Sequence, residues 1–64
     1  MPRENLKKYR VSIHKTQEEM AKIWGITLSF YKQIEYGVKN PSIQKIKDFK
    51  KCFPMANTDE IFLS

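Results

Sequence analysis

Residues 16–37 have the pattern of two short, capped helices, and this pattern limits the possible folds of the chain more than any other. Thr16 followed three residues later by Glu19 forms a capping box, which predicts a helix beginning at Gln17. Gly25 predicts its end, because glycine adopts the left-handed backbone of a helix C-terminus without steric cost. The apolar stripe of this helix, at helical spacing, consists of Met20, Ala21 and Trp24.

A second helix follows almost at once. Thr27 can cap it, Tyr31 and Ile34 form its inner face, and Gly37 predicts its end. Two helices joined by so few residues must cross steeply, and the small side chain of Ala21 permits their close approach. This is the helix-turn-helix arrangement. The alternative is an ordinary helical hairpin within a small bundle, which uses similar caps and stripes.

An arginine interrupts the apolar face of the preceding helix, which is predicted from Arg3 to about Ile13. Because an arginine among apolar residues needs a partner, we expect Arg10 to pair with Glu35 on the inner side of the second motif helix. We interpret this pair as structural. His14 follows the helix at a position where histidine tolerates a positive φ. The apolar residues that share the face are Leu6, Tyr9 and Ile13.

A fourth helix is predicted after the motif. Pro41 disfavours helix at Asn40, and Ser42 can cap a helix that continues to about Cys52. The apolar positions of this helix are Ile43, Ile46 and Phe49, followed by Phe53. Its lysines, predicted to form a solvated face rather than a contact surface, are Lys45, Lys47, Lys50 and Lys51.

The end of the chain predicts one more short helix. Pro54 interrupts the chain, and Asn57 or Thr58 can cap a helix whose first turn carries Asp59 and Glu60. Part of the apolar ending must pack on the core, and any part left exposed is a candidate dimer contact. This ending comprises Ile61, Phe62 and Leu63.

Length and composition limit the possible functions. The 64 residues are enough for a single domain, expected to span residues 1–64. The single cysteine excludes an internal disulfide framework, and no apolar run approaches the length of a membrane span. We therefore expect a soluble, cytoplasmic protein. With one histidine and no nucleophile, metal or phosphate-loop constellation, we expect neither an enzyme nor a cofactor or metal site.

The charge of the chain is distributed unevenly. All twelve lysines and arginines precede Phe53, together with five of the seven acidic residues, and the net charge is +5. This asymmetry favours a polyanionic partner that meets one face. A lysine-rich surface that only confers solubility gives the same composition, so charge supports nucleic-acid binding without establishing it.

The whole pattern resembles the phage repressor and Cro-type (XRE-like) family of helix-turn-helix DNA-binding domains. The resemblance covers nearly the entire chain and implies an all-α fold. That fold is a compact five-helix, lambda-repressor-like bundle in which the second and third helices form the helix-turn-helix. The matching residues are Leu6 and Arg10; Thr16, Gln17, Glu18, Glu19, Ala21 and Gly25; Ile34, Glu35 and Gly37; Asn40, Pro41, Ser42 and Ile46; and Asp59, Glu60, Ile61 and Phe62.

The resemblance implies that the third helix enters the DNA major groove, where each base pair presents a distinct pattern of donors and acceptors. Gln33 can then pair with an adenine edge, and Lys32 can reach guanine acceptors or a phosphate. Leu28 can contact a thymine methyl group or rest on its neighbours. The residues expected to face the DNA are Thr27, Leu28, Ser29, Lys32 and Gln33.

Backbone contacts are expected on both sides of this helix. The resemblance implies that Gln17, at the N-terminus of the second helix, binds a phosphate. Lys39 and Asn40 are expected to do the same from the turn after the third helix, although Asn40 can equally serve only to make the turn. Such contacts fix the register of the protein on DNA and carry no sequence information.

The leading hypothesis is a sequence-specific regulator of transcription that binds double-stranded DNA as a homodimer on paired half-sites. We expect a repressor of phage, mobile-element or bacterial origin, associated with the nucleoid, without a small-molecule effector. Nothing in the residues separates repression from activation. The alternative is a protein-interaction module of the same fold, such as an antitoxin-like or anti-repressor component, suggested by the apolar residues Leu28, Phe30 and Tyr31 on the third helix.

Overall fold

Hydroxyl side chains start three of the helices. In the computed structural model, which describes residues 2–63 (Leu63 by its backbone alone), the side chains of Thr16, Thr27 and Ser42 each accept a hydrogen bond from the backbone N–H three residues later. The described chain forms four α-helices and a terminal π-helical turn: α1 Glu4–Ser12, α2 Gln17–Trp24, α3 Leu28–Glu35, α4 Ile43–Cys52 and α5 Asp59–Leu63. The expected all-α, five-helix fold is confirmed.

The helix ends follow the local sequence signals closely. The capping box is complete, since the Glu19 side chain also accepts a hydrogen bond from the backbone N–H of Thr16 at 2.9 Å. Gly25 ends α2 with φ of 84°, and Gly37 follows α3 with φ of 79°. His14 has φ of 57°, as expected. The helix predicted from Arg3 to Ile13 is one residue shorter at each end, because both residues serve as caps with non-helical backbone angles.

An aromatic cluster forms the centre of the core, with Phe49 of α4 fully buried within it. Its ring centroid lies 4.9 Å from that of Trp24 and 4.7 Å from that of Phe53. The Phe62 ring of α5 lies 5.2 Å away in an edge-on arrangement, and Tyr9 of α1 approaches at 6.3 Å. These separations favour aromatic pairing beyond simple burial. Phe49 therefore joins α1, α2, α4 and α5.

The last element closes the core. The Asn57 side chain accepts a hydrogen bond from the Glu60 backbone N–H at 3.1 Å, so Asn57 is the residue that caps α5. Ile61 and Phe62 are both buried, and neither is left as an exposed contact for a second copy. The side chain of Leu63 lies outside the described residues.

One residue of the predicted apolar face of α4 is exposed. Ile43 retains 74% of its exposure and does not pack on the core, whereas Ile46 and Phe49 do. The apolar stripe that packs on the core begins one turn later, at Ile46. The first turn is instead held by the Trp24 indole N–H, which donates to the Lys45 carbonyl oxygen at 2.9 Å.

We predict that Phe49→Ala lowers the free energy of unfolding by about 3–5 kcal/mol, because it leaves a cavity where four aromatic rings converge. That loss approaches the whole stability expected of so small a domain. Ile43→Ala, on the same helix but exposed, should change stability by less than about 0.5 kcal/mol. Urea unfolding followed by circular dichroism measures both. Equal losses would contradict the assigned core.

Candidate nucleic-acid interface

The two helices of the motif meet through their buried faces. Ala21 of α2 is buried, and the ring of Trp24 lies edge-on to Tyr31 of α3 with centroids 6.2 Å apart. Residues 25–27 alone connect the helices, and the Ile26 backbone N–H donates to the Ala21 carbonyl oxygen at 3.0 Å. The short connection and the small residue at the crossing fix one face of α3 against α2. The opposite face of α3 therefore points away from α2.

The outer face of α3 is polar. Its N-cap Thr27 is exposed, as are Ser29 and Lys32, whereas Leu28 and Gln33 are half-buried. The opposite face is fixed in the core by residues that are all buried: Tyr31, Ile34 and Glu35. The five residues expected to face DNA therefore all keep exposed surface, four of them on α3 and Thr27 at its N-cap.

Gln17 lies in the first turn of α2 and is half-buried. Its side-chain amide nitrogen donates to Glu35 Oε1 at 3.4 Å, so the side chain is oriented by a residue of α3. The amide groups of the first turn of a helix are suited to a phosphate oxygen. Gln17 thus lies where a backbone contact was expected, with its side chain already held in place.

The turn after α3 carries the second pair of expected backbone contacts. Lys39 and Asn40 are both exposed. The backbone N–H groups of Val38 and Lys39 donate to the Gln33 carbonyl oxygen at 2.9 and 3.2 Å, which ties the turn to the last part of α3. The turn is therefore built on the same helix that carries the outer polar face.

The ion pair expected from the sequence is present in the structure. Arg10 Nε and Nη2 donate to Glu35 Oε2 and Oε1, each at 3.2 Å, and the two side chains are 15% and 4% exposed. Arg10 Nη1 also donates to the Lys15 carbonyl oxygen at 3.1 Å. The hydrogen bonds to Glu35 raise the pKa of Arg10 above its ordinary value, so Arg10 stays charged.

A buried tyrosine lies beside this pair. The Tyr31 hydroxyl is buried and has no hydrogen-bond partner within the described part of the chain. Burial, and then the neighbouring Glu35 carboxylate, raise the pKa of Tyr31 above its ordinary value. Tyr31 is therefore a neutral part of the core.

A cleft lies beside the motif, and no local sequence pattern indicates it. It has a volume of about 380 Å³ and lies between the start of α1, the start of α2 and the end of α3. Arg3, the N-cap residue of α1, donates through Nη2 to Asn40 Oδ1, 37 positions away in the sequence. Local patterning carries no information on such a distant pair, so only the fold reveals it. The cleft is lined by Pro2, Arg3, Glu4, Lys7, Arg10, Gln17, Glu35 and Tyr36.

Comparison with known proteins identifies the family. A helix-turn-helix family model matches residues 6–53, three quarters of the chain. The chain belongs to this family, of the Cro/C1 (XRE) type, and is a DNA-binding domain of that regulatory kind. Neither the comparison with curated proteins nor that with solved structures found a match. Within residues 2–63, no helix has the length and apolar character needed to cross a membrane.

We predict that Glu35→Ala lowers the free energy of unfolding by about 3–5 kcal/mol, because it leaves Arg10 partly buried without its carboxylate. The double variant Arg10→Met/Glu35→Leu removes both charges and should recover most of that loss. Urea unfolding of the three proteins provides the test. A double variant as unstable as Glu35→Ala would show that an unpaired charge is not the cause.

Proposed function

We propose that this chain is a sequence-specific regulator of transcription that binds double-stranded DNA as a dimer on paired half-sites and acts as a repressor. In this proposal it is a phage, mobile-element or bacterial protein of the cytoplasm, associated with the nucleoid. The main support for this proposal is the polar face of α3, which points outward because the opposite face of the helix is buried in the core. An α-helix presented in this way has the dimensions to enter the major groove.

Within the groove, the residues of α3 take different roles. Gln33 can make two hydrogen bonds to an adenine edge, and Lys32 can reach the acceptors of a guanine or a phosphate. Thr27 and Ser29 offer hydroxyl groups to bases or backbone. Leu28, half-buried, keeps part of its side chain available to a thymine methyl group. These assignments follow from exposure and chemistry.

Two backbone contacts flank the reading helix in this proposal. Gln17 and the first-turn amides of α2 bind a phosphate on one side of the groove. Lys39 and Asn40 bind the backbone on the other side. All three residues lie in elements joined directly to α3: Gln17 through Glu35, and the turn through the Gln33 carbonyl oxygen.

The alternative, a protein-interaction module, loses its sequence support. Tyr31 is fully buried and Phe30 is partly buried against the core, so with Leu28 they do not form an apolar surface cluster on α3. Charge reversal at Lys32 and Lys39 distinguishes the two functions. If the chain is a DNA-binding regulator, charge reversal should abolish DNA binding. If it is a protein-interaction module, binding to its protein partner should remain intact.

Selection from a randomised duplex pool tests the proposed function. We expect a recovered site with two symmetric halves whose centres lie roughly 34 Å, one helical turn, apart. We expect it to bind at least about a thousandfold more tightly than scrambled duplex. Uniform binding of all duplexes that disappears at modest salt would instead indicate a merely basic surface.

We predict that Gln33→Ala costs about 1–3 kcal/mol per half-site on the selected duplex and relaxes specificity at one base pair in each half, because each subunit loses a base contact. Lys39→Ala should weaken binding to all duplexes alike and lower the salt slope by about two, one for each subunit of the proposed dimer. Lys47→Ala, an exposed lysine of α4, is the matched control and should change neither. Fluorescence anisotropy across salt concentrations measures all three. Identical behaviour of Gln33→Ala and Lys39→Ala would contradict these roles.

A further inference from the structure

Arg3 contacts three separate parts of the fold. Its guanidinium donates through Nη2 to Asn40 Oδ1 in the turn after α3. Its backbone N–H donates to the Glu35 carbonyl oxygen at 2.8 Å, and its guanidinium carbon lies 5.7 Å from the ring centroid of Phe62. Arg3 is therefore a fixed residue at the entry to α1.

The contact between Arg3 and Asn40 determines which way the asparagine amide faces. A guanidinium has only donors, so the atom turned towards Arg3 must be the Asn40 oxygen. The two N–H groups on Asn40 Nδ2 then make no hydrogen bond within the described residues, and Asn40 is exposed. In this orientation the free side of Asn40 presents donors alone, which is the polarity that a phosphate oxygen requires.

The charge of Arg3 is not cancelled at this position. Among residues 2–63 no acidic side chain forms an ion pair with Arg3, which is held by an amide oxygen and an aromatic ring. Lys39, adjacent to Asn40, is exposed. The fixed amide donor in the turn after α3 therefore has two positive charges beside it, Lys39 in the same turn and Arg3 at the start of α1.

We propose that Arg3 is a positioning residue for DNA binding, which fixes Asn40 in the one amide orientation that donates to a backbone phosphate. The inference rests on the proposed function and deepens it, because it explains how a turn residue becomes a preset phosphate contact. Without Arg3, the whole Asn40 side chain samples its other rotamers as well as both amide orientations, and only a small fraction of these directs Nδ2 at the phosphate.

Substitutions at Asn40 separate the donor from the structural contact. Asn40→Ala should weaken binding to the selected duplex about tenfold, because it removes a hydrogen bond to a charged group. Asn40→Asp keeps an acceptor for Arg3, so thermal unfolding should show stability at least equal to that of Asn40→Ala. Its carboxylate faces the phosphate, so it should bind DNA more weakly than Asn40→Ala. Asn57→Asp, which keeps its cap on α5, controls for the added negative charge.

A double-mutant cycle tests the role of Arg3 itself. Arg3→Ala should weaken binding about tenfold in the wild-type background and by less than about threefold in the Asn40→Ala background, because the two residues act as a unit. Lys7→Ala, an exposed lysine of α1 that lines the same cleft, controls for loss of one positive charge and should give equal losses in both backgrounds. Circular dichroism at the assay temperature confirms that each protein is folded.

Three results would overturn the inference. They are independent, multiplying losses for Arg3→Ala and Asn40→Ala; an unchanged affinity of Asn40→Ala; and Asn40→Asp binding DNA as well as Asn40→Ala. Each of these leaves the proposed function standing, because the wild type still prefers its selected duplex. A wild type that prefers no duplex is the separate failure, that of the proposed function.

Discussion

The Glu35 carboxylate is the contact on which the arrangement of the first three helices depends. It lies on α3, accepts two hydrogen bonds from Arg10 of α1 and receives one from Gln17 of α2. Its own backbone oxygen accepts the N–H of Arg3. Removing two charges from water costs nearly as much as their attraction returns, so such a pair contributes orientation more than net stability. In this fold, the bonds to Glu35 fix the orientation of α3 relative to α1 and α2.

The aromatic core and the ion pair together hold the inner side of α3 in place. The ring of Phe49 packs against rings of α1, α2 and α5, and the burial of this apolar surface stabilises the fold. Tyr31 extends this cluster into α3 and lies beside Glu35, where the core meets the polar network. One side of α3 is thereby held by packing and by charge at once, and its polar side remains available. The turn after α3 is held by the hydrogen bond from Arg3 to Asn40.

Local physical rules made much of this fold predictable. Thr16, Thr27 and Ser42 are caps because their hydroxyl groups satisfy nearby N–H groups, and Gly25 ends α2 because of its backbone freedom. The pairing of Arg10 with Glu35 was also foreseeable, since an arginine on an apolar face needs a partner.

Three features of the fold could not be predicted from local sequence patterns. The contact between Arg3 and Asn40 joins positions far apart in sequence, and the π-helical form of α5 has no local signal. The exposure of Ile43 follows from where α4 meets the core, which its spacing alone does not reveal. For the candidate site, the sequence identified the residues by their positions in the motif. Their individual roles on DNA stay predictions, because a contact depends on the bound duplex.

In the proposed function, the outer face of α3 is the surface that meets DNA. Titration of isotope-labelled protein with the selected duplex, followed by backbone amide NMR, tests it most directly. We expect the largest shifts at residues 27–33, at the first turn of α2 and at residues 39–40. The lysine face of α4, with Lys47 and Lys51, should show little change. Shifts concentrated on that α4 face, with α3 unaffected, would contradict the account.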